Sequence, residues 1–341
     1  MPAELRNDRS VAPSLQSTVS IVARSAAIVV TALLLAAASA AALAAAEPDN
    51  VVADVRAAVD AGNLARAAAI VSERRAAQGS SPEIAEAVSV LGSAALAAGD
   101  LDRAIGWARD AERLAVDLLG SRSVESDAHL SAALGASIEV QAQAVARQGD
   151  RSTALYFLQR ELETYANTAL YKKIQKNINL LTLAGAPAPA LDLSESLGVA
   201  SPTLESLKGR VVVLFFWAHW CSDCKIQGPI LAKLLDKYRA EGLTMVAPTQ
   251  RYGYIEAGSS APADEELRHI VSVRDTYYPF LSAVPVPLSE NNHKRYGVSS
   301  TPTLVIVDRR GIITLYHPGR MTESELDQAV TPLLDSRPGQ Q

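Results

Sequence analysis

The sequence predicts an α/β domain, with a central mixed sheet flanked by helices, preceded by an all-α helical-hairpin repeat domain. Three observations carry this. Residues 50–183 are Ala-rich, poor in β-branched runs and marked by apolar residues at helical spacing. Within them, three short segments of one pattern recur. Farther on, Val211 to Trp217 is a continuous apolar run, and the segments after it alternate between strand and helix character.

The chain has 341 residues, ample for two cores plus a terminal segment. Its formal net charge of -5 gives no basic footprint, and no Lys/Arg run supplies one locally, so nucleic-acid binding is set aside. Residues 1–46 stand apart. Arg6, Arg9 and Arg24 precede an apolar run from Ala26 to Ala46, broken only by Thr31 and Ser39. The Ala44-Ala45-Ala46 end before Glu47 offers the small residues that a signal peptidase accepts, while the run approaches the roughly 20 residues that span a bilayer. A cleaved signal peptide and a membrane anchor both fit. A buried Ala-rich helix fits less well, because such helices rarely follow a basic N-terminus directly. Either favoured reading places the chain outside the cytoplasm, periplasmic or anchored and facing outward.

The helical domain is expected over 50–183. Leu130, Leu134, Ile138 and Val145 form one apolar stripe, and Leu155, Leu158, Leu162 and Tyr165 another. The recurring segments begin Gly62-Asn63, Gly99-Asp100 and Gly149-Asp150. In each, Gly suits the left-handed end of one helix, Asn or Asp caps the next, and an Ala five positions after the Gly permits close helix approach. This resembles the tetratricopeptide repeat family, loosely, since the joints lie 37 and 50 residues apart rather than about 34. Trp107 reads as core rather than ligand contact. The resemblance implies a protein partner on a groove of this domain.

Residues 184–190, Ala-Gly-Ala-Pro-Ala-Pro-Ala, read as a short stiff linker. Beyond it the α/β domain is expected over 191–337: strand 211–217, helix 223–240, strand 243–247, helix 263–276, a helical turn at 290–296, a hairpin of 303–308 with 312–316, and a last helix over 323–335 capped by Thr322. The connection from Pro248 to Pro262, with Arg251, Tyr252 and Tyr254, is long for a strand-to-helix link and is a candidate for shaping substrate choice.

The two cysteines, Cys221 and Cys224, are three positions apart. A pair so close contributes little by loop closure, and a structural zinc site would need four ligands, so no metal and no cofactor are expected. Redox chemistry remains. A Cys at a helix start has free N–H groups and the positive end of the helix dipole beside it, both favouring thiolate; a second Cys one turn later can resolve a mixed disulfide.

Trp217-Ala218-His219-Trp220-Cys221-Ser222-Asp223-Cys224-Lys225, with Gly297-Val298-Ser299-Ser300-Thr301-Pro302-Thr303 downstream, resembles the thioredoxin superfamily, and more closely its TlpA-like or ResA-like thiol-disulfide oxidoreductases. The resemblance covers residues 185–337 and implies a thioredoxin-like fold. It implies Cys221 as attacking thiolate, Cys224 as resolving thiol, Trp220 as a shield beside the pair, Pro302 as a cis-proline facing the disulfide, and Thr301 backbone as a strand-pairing edge for substrate. It also implies protein disulfide substrates, reduction as the direction, and a membrane electron donor of DsbD or CcdA type.

Two positions depart from the family pattern. Phe215 stands where thioredoxin has a buried carboxylate, and Gln227 where ResA-like members have Glu, so neither usual proton acceptor for Cys224 is present. Asp223, between the cysteines, should oppose thiolate formation and make the dithiol a stronger reductant. His219 and His317 are read as a solvent-facing loop residue and a structural turn residue. The competing functions are a disulfide oxidase or isomerase, and a non-catalytic helical-repeat adaptor with a thioredoxin-like binding domain.

Overall fold

The structure is a computed structural model that describes residues 50–256 and 259–335. The signal or anchor expected over 1–46 lies outside the described residues. Among those residues no helix is long and apolar enough to cross a membrane.

Among the described residues, seven α-helices come first: α1 (Val51–Asp60), α2 (Leu64–Gln78), α3 (Pro82–Ala97), α4 (Leu101–Leu119), α5 (Ala128–Arg147), α6 (Arg151–Thr164) and α7 (Leu170–Thr182). The three joints behave alike. Gly62, Gly99 and Gly149 sit at φ of 72°, 80° and 97°, where a side chain would be strained. The next residue caps the following helix, with the side chains of Asn63, Asp100 and Asp150 accepting from the N–H groups of Arg66, Arg103 and Thr153. The alanines five positions after each Gly (Ala67, Ala104 and Ala154) are buried. A Cβ on Gly92 would lie 3.4 Å from Ala108 N, so α3 and α4 are in near-backbone contact there. Trp107 packs partly buried against this core, with the Arg103 guanidinium 5.7 Å from its ring.

After α7 the 184–190 segment lies along a strand instead of spanning open space: Gly185 N–H donates to Ile313 O at 2.8 Å and Ile313 N–H to Ala186 O at 2.9 Å. The α/β part then runs β1 (Ser196–Leu197), β2 (Val211–Phe216), α8 (Ser222–Tyr238), β3 (Leu243–Val246), α9 (Ala263–Tyr277), β4 (Val286–Pro287), α10 (Glu290–Arg295), β5 (Thr303–Val307), β6 (Ile313–Pro318) and α11 (Glu323–Asp335). The main sheet has the order β3-β2-β5-β6, parallel between β2 and β3 and antiparallel elsewhere. The two-residue pair β1–β4 forms a second sheet that sequence pattern could not expose at that length.

All six residues of β2 are buried, as its unbroken apolar run requires. Val211, Val213 and Phe215 face a core shared with α8, α9 and α11. Val212, Leu214 and Phe216 face the other side, with Tyr296, Val298 and Leu183. Leu183 follows α7 directly, so the helical half helps cover that face. Helices and sheet belong to one compact unit. Thr322 caps α11 reciprocally: Glu325 N–H donates to its hydroxyl, and its own N–H donates to the Glu325 carboxylate.

Candidate active site

Strand β2 delivers the chain to the site. Trp217, fully buried, donates from Nε1 to Ala247 O at 3.1 Å, and its carbonyl accepts from Thr249 Oγ1 at 2.8 Å. These bonds pin the strand end to the segment that follows β3. A turn closes next, with Cys221 N–H donating to Ala218 O at 3.2 Å. Cys221 is the N-cap of α8: its Sγ accepts the Cys224 N–H at 2.9 Å. The two sulfurs are joined as a disulfide with Cα atoms 5.3 Å apart, and both residues are buried. Once reduced, a sulfur at Cys221 has a backbone donor and the first turn of a 17-residue helix beside it, the environment that lowers a thiol pKa.

The Thr301-Pro302 bond is cis. Its place follows from register: Thr303 pairs with Phe216, so residues 301–302 lie at the same sheet end from which Trp217 to Cys221 depart. Gly319 N–H donates to Pro302 O at 2.8 Å, tying this segment to the loop after β6. The Thr301 hydroxyl is buried without a hydrogen-bond partner. Trp220 is 46% exposed, with its ring 5.5 Å from that of Tyr252.

Asp223 is exposed, and its Oδ1 lies 3.4 Å from Arg320 Nε. The guanidinium arrives from a loop 97 positions away, out of reach of any local pattern, and offsets part of the carboxylate's charge. Gln227 is fully buried, and its Oε1 accepts the Met321 N–H at 2.8 Å. Where relatives of this pattern carry a proton acceptor, this chain therefore has a neutral anchor for the 318–321 loop. Phe215 packs edge-on against Tyr278 in the core, their ring centres 6.0 Å apart.

His219 requires a correction. Expected to face solvent, it is 1% exposed. The turn after β2 directs it beneath residues 252–254, against Tyr252 at 5.6 Å, Tyr254 at 5.9 Å and His269 at 5.3 Å between ring centres. Neither ring nitrogen has a hydrogen-bond partner. Burial lowers its pKa, with the buried Glu266 carboxylate opposing that shift and His269 adding to it. Glu266 in turn accepts the N–H groups of Tyr252 and Gly253, which fixes the segment over the site. The available signal was the pair of tyrosines in an overlong connection, but not the direction in which they point. His317 lies on the rim, its Nε2 3.2 Å from Arg320 O. Among the described residues no group of three or more His, Cys, Asp or Glu side chains converges as metal ligands.

The Redoxin family matches residues 183–330. The thioredoxin-like protein YneN of Bacillus subtilis is 31% identical over 144 residues, which span 42% of this chain and 76% of that one. The chain belongs to the thioredoxin-like Redoxin family. This thioredoxin-like protein is also similar to the thiol-disulfide oxidoreductase ResA of Bacillus thuringiensis, 26% identical over 125 residues, 37% of this chain and 64% of that one, just under two thirds. The thiol:disulfide interchange protein HelX of Rhodobacter capsulatus is 28% identical over 161 residues, 45% of this chain and 77% of its own. A putative DsbE of Chlorobium tepidum, solved by crystallography, is 25% identical, with a TM-score of 0.35, over 44% of this chain and 97% of that chain. The thioredoxin-like fold and the thiol-disulfide oxidoreductase class hold for the α/β half; the Redoxin match begins at residue 183, just after α7.

Proposed function

We propose that this protein reduces protein disulfides outside the cytoplasm through the Cys221–Cys224 dithiol. One observation carries the reading: Cys221 Sγ sits at the start of α8, accepts the Cys224 N–H, and is bonded to Cys224 Sγ. In the reduced protein, the Cys221 thiolate attacks one sulfur of a substrate disulfide. A mixed disulfide forms, and the other substrate sulfur leaves as a thiolate that takes a proton. Cys224 then loses its proton to water, since Phe215 and Gln227 stand at the usual acceptor positions, and attacks Cys221 Sγ. The internal disulfide closes and the second substrate thiol departs, so two electrons and two protons have passed to the substrate.

In this reading Trp220 and the cis Thr301-Pro302 segment shape the receiving surface, with Thr301 backbone pairing with an extended substrate strand. Asp223 tunes the potential. The basic and then apolar N-terminus supports export, and a reductant there needs electrons from across the membrane, which a DsbD-like or CcdA-like carrier would supply. A partner protein on the tetratricopeptide-like helical half is part of the same proposal.

The test is a Cys224→Ser variant, which should accumulate mixed disulfides on Cys221 that a Cys221→Ser variant does not form; equal capture by both would end the reading. Direction is tested by the reduction potential. A value near that of thioredoxin, about -270 mV, supports reduction, and one near that of DsbA, about -120 mV, supports the oxidase reading. The Arg320 guanidinium beside Asp223 is the observation that favours the oxidising side, since a cation stabilises thiolate. Fractionation of cells with N-terminal sequencing of the mature chain tests export.

A further inference from the structure

Helix α7 ends the helical half, and one of its faces touches the α/β half at two places. Lys172, Lys176 and Asn179 share that face by their i, i+4, i+7 spacing. Lys172 Nζ lies 3.3 Å from Glu290 Oε1 on α10 and donates to Gln250 Oε1 at 3.4 Å. Gln250 is buried, and two residues later Tyr252 packs on both Trp220 and His219, the residues that precede Cys221. Lys176 meets the other segment. A Cβ on Gly297 would stand 2.4 Å from Lys176 N, so the two backbones are in direct contact. Gly297 opens the stretch that runs to the cis Thr301-Pro302 bond. Asn179 Nδ2 closes the contact by donating to Arg295 O at 3.4 Å. Thus a single helix face abuts both segments that flank the disulfide, while the helix offers no group to the sulfurs themselves.

We propose that α7 is a positioning element of the exchange site. Lys172 holds the Gln250–Tyr252 segment, the Lys176–Gly297 contact sets the cis-proline segment, and the helical half thereby governs how a folded or extended protein disulfide is received, not how reactive the dithiol is. The inference rests on the dithiol reading above. Lys172 is the residue to alter, because its ammonium joins the two halves and its aliphatic stem can be kept. A buried amide oxygen on Gln250 that loses this donor has reason to move, and Tyr252 moves with it.

The test uses the full chain with Lys172→Met, and Lys172→Arg and Lys173→Met beside it. Lys173 is on the same helix but packs toward Gly135 on α5. For reduction of insulin, Lys172→Met should raise KM about fivefold with little change in kcat. The rate with 5,5′-dithiobis(2-nitrobenzoate), a small disulfide that needs no extended docking surface, should stay within about twofold, as should the equilibrium constant with glutathione. Lys172→Arg should restore most of the insulin KM, and Lys173→Met should leave it unchanged. Gln250→Leu should reproduce the Lys172→Met effect, and the double variant should be no worse than either single one.

Equal losses with insulin and the small disulfide, additive losses in the double variant, an effect of the same size from Lys173→Met, or a lower melting temperature with unchanged KM would each overturn the proposal. If Lys172→Met does not fold, Gln250→Leu on the other half decides the matter by the same KM comparison. A wild-type protein that exchanges with no disulfide at all removes the dithiol reading too; an active wild type indistinguishable from Lys172→Met removes only this one.

Discussion

The helical half and the α/β half reach order by different routes. Through α1–α6 one local device is used three times: a glycine in the left-handed region, an Asn or Asp cap, and a buried alanine, all within six residues. In the α/β half the site is assembled once, from residues 217–224, 249–254, 301–302 and 318–321, each tied to another by a bond that crosses many residues of sequence. The first arrangement should fail in small, separable steps, because each joint stabilises its own turn. The second should fail as a whole, because moving one loop releases its partners.

The largest effect expected is on chemistry. Cys221→Ser should bring insulin reduction to background while leaving the helical half folded by far-ultraviolet circular dichroism. Retained activity would mean that the first-turn sulfur is not the nucleophile.

Next comes His293, on α10 beneath Phe216, with ring centres 5.4 Å apart and neither ring nitrogen partnered. Burial pushes its pKa down from the ordinary 6.5 to about 3. In the unfolded chain it takes up a proton near pH 6.5; in the native protein it does not until about pH 3. Its contribution is therefore complete above pH 6.5 and is lost as pH falls toward 3, at up to about 1.4 kcal/mol per pH unit. Chemical denaturation of His293→Phe between pH 7 and 4 should show a shallower acid loss than wild type. An unchanged slope would remove His293 as a source of acid sensitivity.

A smaller effect is expected in the helical half. Asn63→Ala removes one cap and should cost about 1 kcal/mol, with exchange activity per folded molecule unaltered. A several-fold loss of activity there would break the contrast between the halves.

Smallest is the charge pair at the site. Arg320→Gln should lower the reduction potential and Asp223→Asn should raise it, by about 5 to 20 mV each, as befits an exposed pair worth under about 1 kcal/mol. Both shifts should fade in 1 M salt, where screening acts over about 3 Å. Shifts of the same sign would mean that the two residues do not act through their charges.

Much of the fold was legible because it is written in short windows. The apolar run at Val211 to Phe216 is a buried strand, Thr322 and Glu325 cap each other, and the glycine joints fall between helices where their neighbours demand them. The three-residue spacing that lets Cys224 N–H reach Cys221 Sγ is equally local. His219 was misplaced because a turn residue has no periodicity to reveal its side. What buries it is the path of residues 252–254, fixed by Glu266 from a helix still farther along. Gln227 looked like the loss of a proton acceptor. It is also a gained anchor, and only the position of Met321 makes that visible.

The amino-acid sequence alone determined the order of the longer strands and helices of the α/β half, the three helical joints and the placement of a cysteine pair at a helix start. Those follow from interactions within a few residues, where side-chain period, capping and backbone freedom leave little choice. The tertiary structure alone decided which charge answers Asp223, which loop covers His219, and that Lys172 from the helical half reaches Gln250. These contacts join segments tens of residues apart, and their partners are selected by how the packed layers bring loops together, which no local pattern encodes.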